Sequence, residues 1–317
     1  MQKLILFGLG SIGQRHLRLI LKHWPGQFDI YAFRHSSTGN PSQDPKKVTE
    51  VTTWPQVEEI MPGIAFICNP TQYHVKTALK CAELGCDLCI EKPLSHDLVG
   101  INELIGTIKA KRLKNYVAYP FRHHSDINML KNHLNSTEDA KNGRRIEKEV
   151  KTVAECVKDK KVEPSGKIEA IQSEIVCRSD ANRWPTVRKS HKNGGGVLLE
   201  LSHELDLATY LFGLVERIEG ETKCRSDVAG GAETYAELIL HHVSGHKVAI
   251  TLDMDAKVEE RYIKMANPAT FLPYSADDDL YLVQLRYFFD TEASEIGNTV
   301  EQAAELLRQI INFRNTA

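Results

Sequence analysis

Three stretches of this chain carry residue types and spacings that can do chemistry. The first is Gly8-Leu9-Gly10-Ser11-Ile12-Gly13, which directly follows an apolar run. Glycines in this pattern bring backbone N–H groups up to a pyrophosphate, with Ser11 and Ile12 opening the next helix. The second is Lys92, between Glu91 and Pro93 at the end of another apolar run. The third starts at Gly194-Gly195-Gly196 and continues through Glu200, His203 and Asp206 at three-residue steps. An imidazole changes charge near neutral pH, so His203 can take or give a proton. A lone lysine is more often a surface residue, and a lone histidine more often a core or capping one. The neighbours reverse those odds: Glu91 and Pro93 around Lys92, and three glycines ahead of His203 with Glu204-Leu205-Asp206 behind it.

These groups need elements to hold them. Lys3 to Phe7 reads as a strand and Gln14 to Lys22 as a helix with Leu17, Leu19, Ile20 and Leu21 on its apolar face. In that setting Gly8 allows the tight turn, Gly10 leaves room for a phosphate, and Gly13 lets helix and strand pack closely. The competing reading is a glycine-rich turn without a ligand. A second strand, Phe28 to Phe33, ends in Arg34-His35-Ser36-Ser37-Thr38. A guanidinium and hydroxyls with no carboxylate among them suit a 2′-phosphate, which predicts NADP in preference to NAD. Against this, Arg34 is equally readable as a solvated loop arginine. Strands near 48–51, 64–68, 87–90 and 116–119 alternate with helices near 54–60, 75–84 and 97–111, which predicts a parallel sheet covered on both faces. Ligands lie off the carboxyl ends of such strands. Three loops then share a crevice with the glycine turn: Asn69-Pro70-Thr71 with His74, Glu91-Lys92-Pro93, and Tyr119 with Arg122.

Beyond Phe121 the character changes. A helix is expected over 128–134, then mixed charges dominate to Gly166. Within them Ile146, Val150, Val153, Ala154 and Val157 recur at helical spacing, readable as an amphipathic helix or as a mobile charged loop. A strand is expected over 167–178. The loop after it holds Arg183-Trp184 and Arg188, which suit a sugar bearing phosphate or carboxylate, though an ordinary exposed loop has the same composition. A helix is expected over 197–212, with Leu198, Leu201, Leu205, Ala208 and Leu211 as its buried stripe. Strands over 215–221, 234–242, 247–255 and 260–265 predict an open, mainly antiparallel sheet, followed by helices over 280–291 and 300–313. His241, His242 and His246 read as a hairpin, and Cys86 and Cys89 as buried thiols; no metal site is expected. The expected domains are 1–121 and 122–317, with a charged insertion over 135–165.

The chain's 317 residues suffice for two full cores, and its 42% hydrophobic and 26% charged residues are ordinary for a globular protein. A net charge of −2 makes no electrostatic case for nucleic acid or an anionic membrane. No apolar run reaches the ~20 residues of a bilayer span. Seven cysteines without scaffold spacing suit a reducing cytoplasm.

Taken together, GLGSIGQRH, CNPTQYH, EKPLS, YPFRHH and GGGVLLELSHELDLATYLFG resemble the Gfo/Idh/MocA family of NAD(P)-dependent oxidoreductases, in the family's order and at about its spacing. The resemblance implies an N-terminal Rossmann domain and a C-terminal α+β domain built on an open sheet. It implies hydride transfer with NADP or NAD, to or from a secondary alcohol or ketone of a sugar-like substrate. It implies that Lys92, turned by a cis bond to Pro93, hydrogen-bonds the reacting oxygen beside the nicotinamide, and that His203 is the acid–base group. It also implies a homodimer or homotetramer through the open sheet. The sequence departs from the family at Leu199, where many members place an aspartate; Glu200 stands next to it and is the candidate to orient His203. Two other readings stay open: a dinucleotide-binding regulator without turnover, and a reductase of a non-sugar carbonyl or imine compound.

Overall fold

The computed structural model describes residues 1–34, 47–141, 171–180, 194–224 and 232–316. His35, Ser36, Arg183, Trp184, Arg188 and the helical pattern over 146–157 lie outside the described residues.

The first half alternates strands and helices: β1 (Gln2–Phe7), α1 (Ser11–His23), β2 (Phe28–Phe33), β3 (Val48–Val51), α2 (Trp54–Ile60), β4 (Ile64–Ile67), α3 (His74–Glu83), β5 (Asp87–Glu91), α4 (Ile101–Lys111) and β6 (Asn115–Ala118). The six strands form one parallel sheet in the order β3-β2-β1-β4-β5-β6. This is the Rossmann order, with its switch point between β1 and β4. Every residue of β4 and β6 is buried, as expected of strands covered on both sides. The anticipated helix over 97–111 starts only at Ile101, because Gly100 adopts φ +77° and breaks the preceding turn.

The second half begins with α5 (Ser125–Lys141) and β7 (Ser173–Asp180). The predicted 197–212 helix is two: α6 (Val197–Glu200) and α7 (Ser202–Phe212), separated at Leu201 (φ −101°, ψ 30°). There follow β8 (Val215–Lys223), β9 (Tyr235–His242), β10 (Lys247–Ala256), β11 (Glu260–Met265) and β12 (Thr270–Pro273), then α8 (Asp278–Asp290) and α9 (Val300–Thr316). The short β12 has no counterpart in the sequence reading. The second sheet runs β12-β11-β7-β10-β9-β8; only β7 and β10 pair in parallel. Along β10 buried and half-buried residues alternate, so one face meets the core and the other is open. Leu198, Leu201, Leu205, Ala208 and Leu211 pack against that inner face with Leu238, Leu240, Ile250 and Leu252.

Late in its course the chain returns to the first sheet. Leu285, Phe288 and Ile296 share one buried cluster with Leu4, Leu6, Leu17, Ile20, Phe66 and Tyr116, so α8 covers the sheet beside α1. The edge strand β6 is closed by Asn298: Val117 N–H donates to its carbonyl at 2.9 Å, and its Nδ2 donates to the Val117 carbonyl at 2.5 Å. Covering an edge in this way removes a template for aggregation. Among the described residues no helix is long and apolar enough to cross a membrane. Phe288 is 1% exposed and meets Phe66 edge-to-face at 5.6 Å, so Phe288→Ala should cost about 3–5 kcal/mol in urea unfolding. A loss under 1 kcal/mol would mean that α8 does not complete this core.

Candidate active site

The glycine turn has the shape of a phosphate cradle. Gly8 holds φ +96°, and a Cβ on it would lie 2.7 Å from the Cys68 carbonyl. A Cβ on Gly13 would lie 2.1 Å from the Gly8 carbonyl, so helix and strand meet through these two positions. A Cβ on Gly10 meets nothing within 4 Å: this glycine opens onto space rather than onto protein. The first turn of α1, beginning at Ser11 and Ile12, has no acidic residue, and its last turn carries Lys22 and His23. The N-terminal end of the helix is therefore left positive for an anion, an interaction of about 0.3–1 kcal/mol per charge. Beside the turn, Asn69 donates through Nδ2 to Thr77 at 2.9 Å, while its buried Oδ1 finds no partner among the described residues. A dinucleotide fits these groups: space at Gly10, the N-terminal end of α1 behind it and the Asn69 Oδ1 acceptor alongside.

The three loops meet as the sheet topology demands. His74 bridges two of them, its Nδ1 2.9 Å from the Pro93 carbonyl and its Nε2 2.8 Å from the Asn69 carbonyl. Burial holds its pKa below the ordinary value. Thr71 and Pro70 form the turn leading into α3, and Thr71 packs where a Cβ on Gly194 would stand. The Lys92–Pro93 bond is cis. Lys92 Nζ donates to the Glu200 carbonyl at 2.8 Å. That carbonyl lies at the end of α6, where the break at Leu201 leaves it outside the helical ladder.

His203 sits in the first turn of α7, with its ring edge-to-face against Tyr119 at 5.7 Å and Phe121 at 5.2 Å. Its pKa is held well below the ordinary value, first by burial and then by the positive charges of Lys92 and Arg261. Neutral imidazole is thus its resting state. Its Nδ1 has no hydrogen-bond partner among the described residues. Glu200, the candidate to orient it, ends α6, one residue before α7 begins, and its carbonyl accepts from Lys92.

Several other expected contacts are already taken within the protein. The Arg122 guanidinium makes a bidentate pair with Asp206, at 2.8 and 2.7 Å. Tyr119 is buried and donates to Ser202 Oγ at 3.3 Å. Glu91 accepts from the buried His16 at 2.6 Å, behind the glycine turn. Arg34 is buried and paired with Glu50 of β3 at 2.8 Å. The premise that no carboxylate stands near Arg34 is overturned: Glu50 pairs with Ala32 across β2 and β3, a proximity hidden because Glu50 lies 16 positions beyond Arg34 in the chain. Sequence reasoning also missed Arg261 and Glu204, joined at 2.9 Å near His203, because β11 and α7 are far apart in the chain.

The charges around His203 give a direct test by NMR titration of its ring. The midpoint should lie below 6.5, the ordinary value, and Lys92→Met should raise it, since removing a cation favours the imidazolium. A wild-type midpoint at or above 6.5 would remove the electrostatic coupling.

Two family models match this chain. One, described as an oxidoreductase family with an NAD-binding Rossmann fold, covers residues 3–119; the other, the GFO/IDH/MocA C-terminal domain, covers 150–266. No curated protein matches in sequence. Solved structures match over nearly the full length. The WlbA (WbpB) dehydrogenase from Thermus thermophilus, in complex with NAD and UDP-GlcNAcA, is 18% identical with TM-score 0.70, covering 97% of this chain and 93% of that one. GenD2 from gentamicin A biosynthesis, in complex with NAD, is 12% identical with TM-score 0.75, covering 97% and 91%. A levoglucosan dehydrogenase bound to NADH and L-sorbose is 13% identical with TM-score 0.71, covering 96% and 94%. At these identities the likeness establishes a shared fold. With both of its domains matched by the family's own models, the chain belongs to the Gfo/Idh/MocA family of NAD-binding oxidoreductases.

Proposed function

We propose that this protein moves a hydride between the nicotinamide of NAD(P) and a secondary alcohol or ketone of a sugar-like substrate. What supports the reading most is that Lys92, just past the carboxyl end of β5, bonds to the end of α6, while its charge acts on the buried, neutral His203 at the start of α7. The nicotinamide, when bound, supplies the hydride acceptor or donor. In the oxidative direction His203 takes the hydroxyl proton as the C–H hydride leaves, and burial keeps it unprotonated for that task. Lys92 carries a fixed positive charge for the oxygen that becomes negative. In the reductive direction the same groups act in reverse. Sugar-like substrates are supported by the neighbours, two of which are complexes with UDP-GlcNAcA and L-sorbose.

For the cofactor, Glu50 changes the expectation. Its carboxylate neutralises Arg34 and can accept from ribose hydroxyls, so NAD should bind at least as well as NADP. The open face of the second sheet, with Ile239, Ala249, Tyr262 and Phe271 half-buried or exposed along adjacent strands, is where a second copy would pack in a homodimer or homotetramer. The six described free thiols, five of them buried, suit a reducing cytoplasm.

His203→Ala should lower turnover about 10²–10⁴-fold while NAD still raises the melting temperature; near-normal turnover would take His203 out of the mechanism. Titration of the wild type with each dinucleotide tests the cofactor reading. NAD should bind as tightly as NADP or tighter, and Glu50→Gln should shift the balance toward NADP; a wild type that already favours NADP would refute it.

A further inference from the structure

A second cation acts on His203 through its charge and is itself neither the proton donor nor the acceptor. Arg261 lies opposite Cys177 in the ladder between β11 and β7. Its Nε is 2.9 Å from Glu204 Oε1, and Nε and Nη2 donate to Cys177 Sγ at 3.4 and 3.1 Å. The Tyr274 hydroxyl donates to the same Glu204 oxygen at 3.3 Å. The guanidinium carbon sits 5.0 Å from the centre of the Phe121 ring and 5.8 Å from that of Tyr274. Phe121 is the ring that packs edge-to-face on His203, so Arg261 and the acid–base group flank one aromatic side chain.

The pair is lopsided in a way that a purely structural ion pair would not require. Glu204 is 0% exposed, while Arg261 is 26% exposed. The guanidinium has five N–H donors in a rigid fork. Its contacts with the described residues occupy Nε and one Nη2 position, and none uses Nη1. Cys177 does not compete as an anion, because burial, with Glu204 adding to it, pushes its thiol up to about 12. Two rings fix the plane of the fork, a buried carboxylate fixes its root, and the outer edge stays open. An edge of two parallel N–H groups matches a planar carboxylate.

We infer that Arg261 selects substrates that carry a carboxylate near the reacting carbon, so that the preferred sugar is a sugar acid. This rests on the sugar reading proposed above. Glu204, Cys177, Phe121 and Tyr274 are the positioning residues that hold the fork.

The test compares matched substrates with NAD in the wild type: neutral hexoses, their uronic acids and their 6-phosphates, followed by kcat/KM from nicotinamide absorbance. The uronic acids should exceed their neutral counterparts at least tenfold, chiefly through KM. Arg261→Gln should erase that ratio, and Arg261→Lys should retain part of it. Equal rates for acid and neutral sugars in the wild type, a preference for the phosphates, or an equal loss for both classes in Arg261→Gln would each overturn the inference while leaving the sugar reading intact. No turnover of any sugar, neutral or acidic, would overturn the sugar reading and the inference with it. The wild-type comparison stands even where Arg261→Gln folds poorly, and Arg261→Lys then tests the residue.

Discussion

A hydrogen bond from Lys92 helps join the two halves of the site, together with Tyr119–Ser202 and Arg122–Asp206. Lys92, at the end of the fifth parallel strand, donates to the carbonyl of Glu200, at the end of the short helix α6. α6 stops at that residue, so its carbonyl lies at a helix end, where backbone acceptors are left for other donors. The break therefore brings the ammonium and the His203 imidazole within electrostatic reach of each other, although 108 residues separate Lys92 from Glu200.

The break is itself held from behind. Gly196 has φ +104°, and a Cβ there would lie 2.7 Å from both Arg314 Nη2 and Glu233 Oε1. Arg314, near the end of α9, pairs with Glu233 and donates to the Gly195 carbonyl at 3.2 Å. Glu233 in turn accepts the Val197 N–H at 2.8 Å through its carbonyl. The last helix thus braces the turn from which α6 starts. Arg122 and Asp206 brace the other side: the pair is mostly buried, and removing one member of such a pair costs about 3–5 kcal/mol because the remaining charge stays desolvated. Specific geometry at His203 is maintained by ion pairs that do no chemistry.

Charge around His203 is arranged to keep it neutral. Burial, Lys92 and Arg261 all act in one direction, and no carboxylate is among the influences that shift it. The nearby acids are committed elsewhere, Asp206 to Arg122 and Glu204 to Arg261.

The sequence by itself determined the parallel-sheet architecture, the glycine turn, and Lys92 and His203 as the reactive pair to examine. These features are local. A strand followed by three spaced glycines, or three glycines ahead of an apolar-striped helix, reports on the backbone where it stands. It did not determine who pairs with whom. Arg34 read as an uncompensated cation until β3 brought Glu50 beside it, and one continuous helix over 197–212 divided at Leu201. Arg261 was one charged residue in an alternating strand until the ladder set it against Cys177 and over Phe121. Only the tertiary structure decided these contacts. Ion pairs and ring contacts act across a few ångströms of space, and distance along the chain carries no record of that separation.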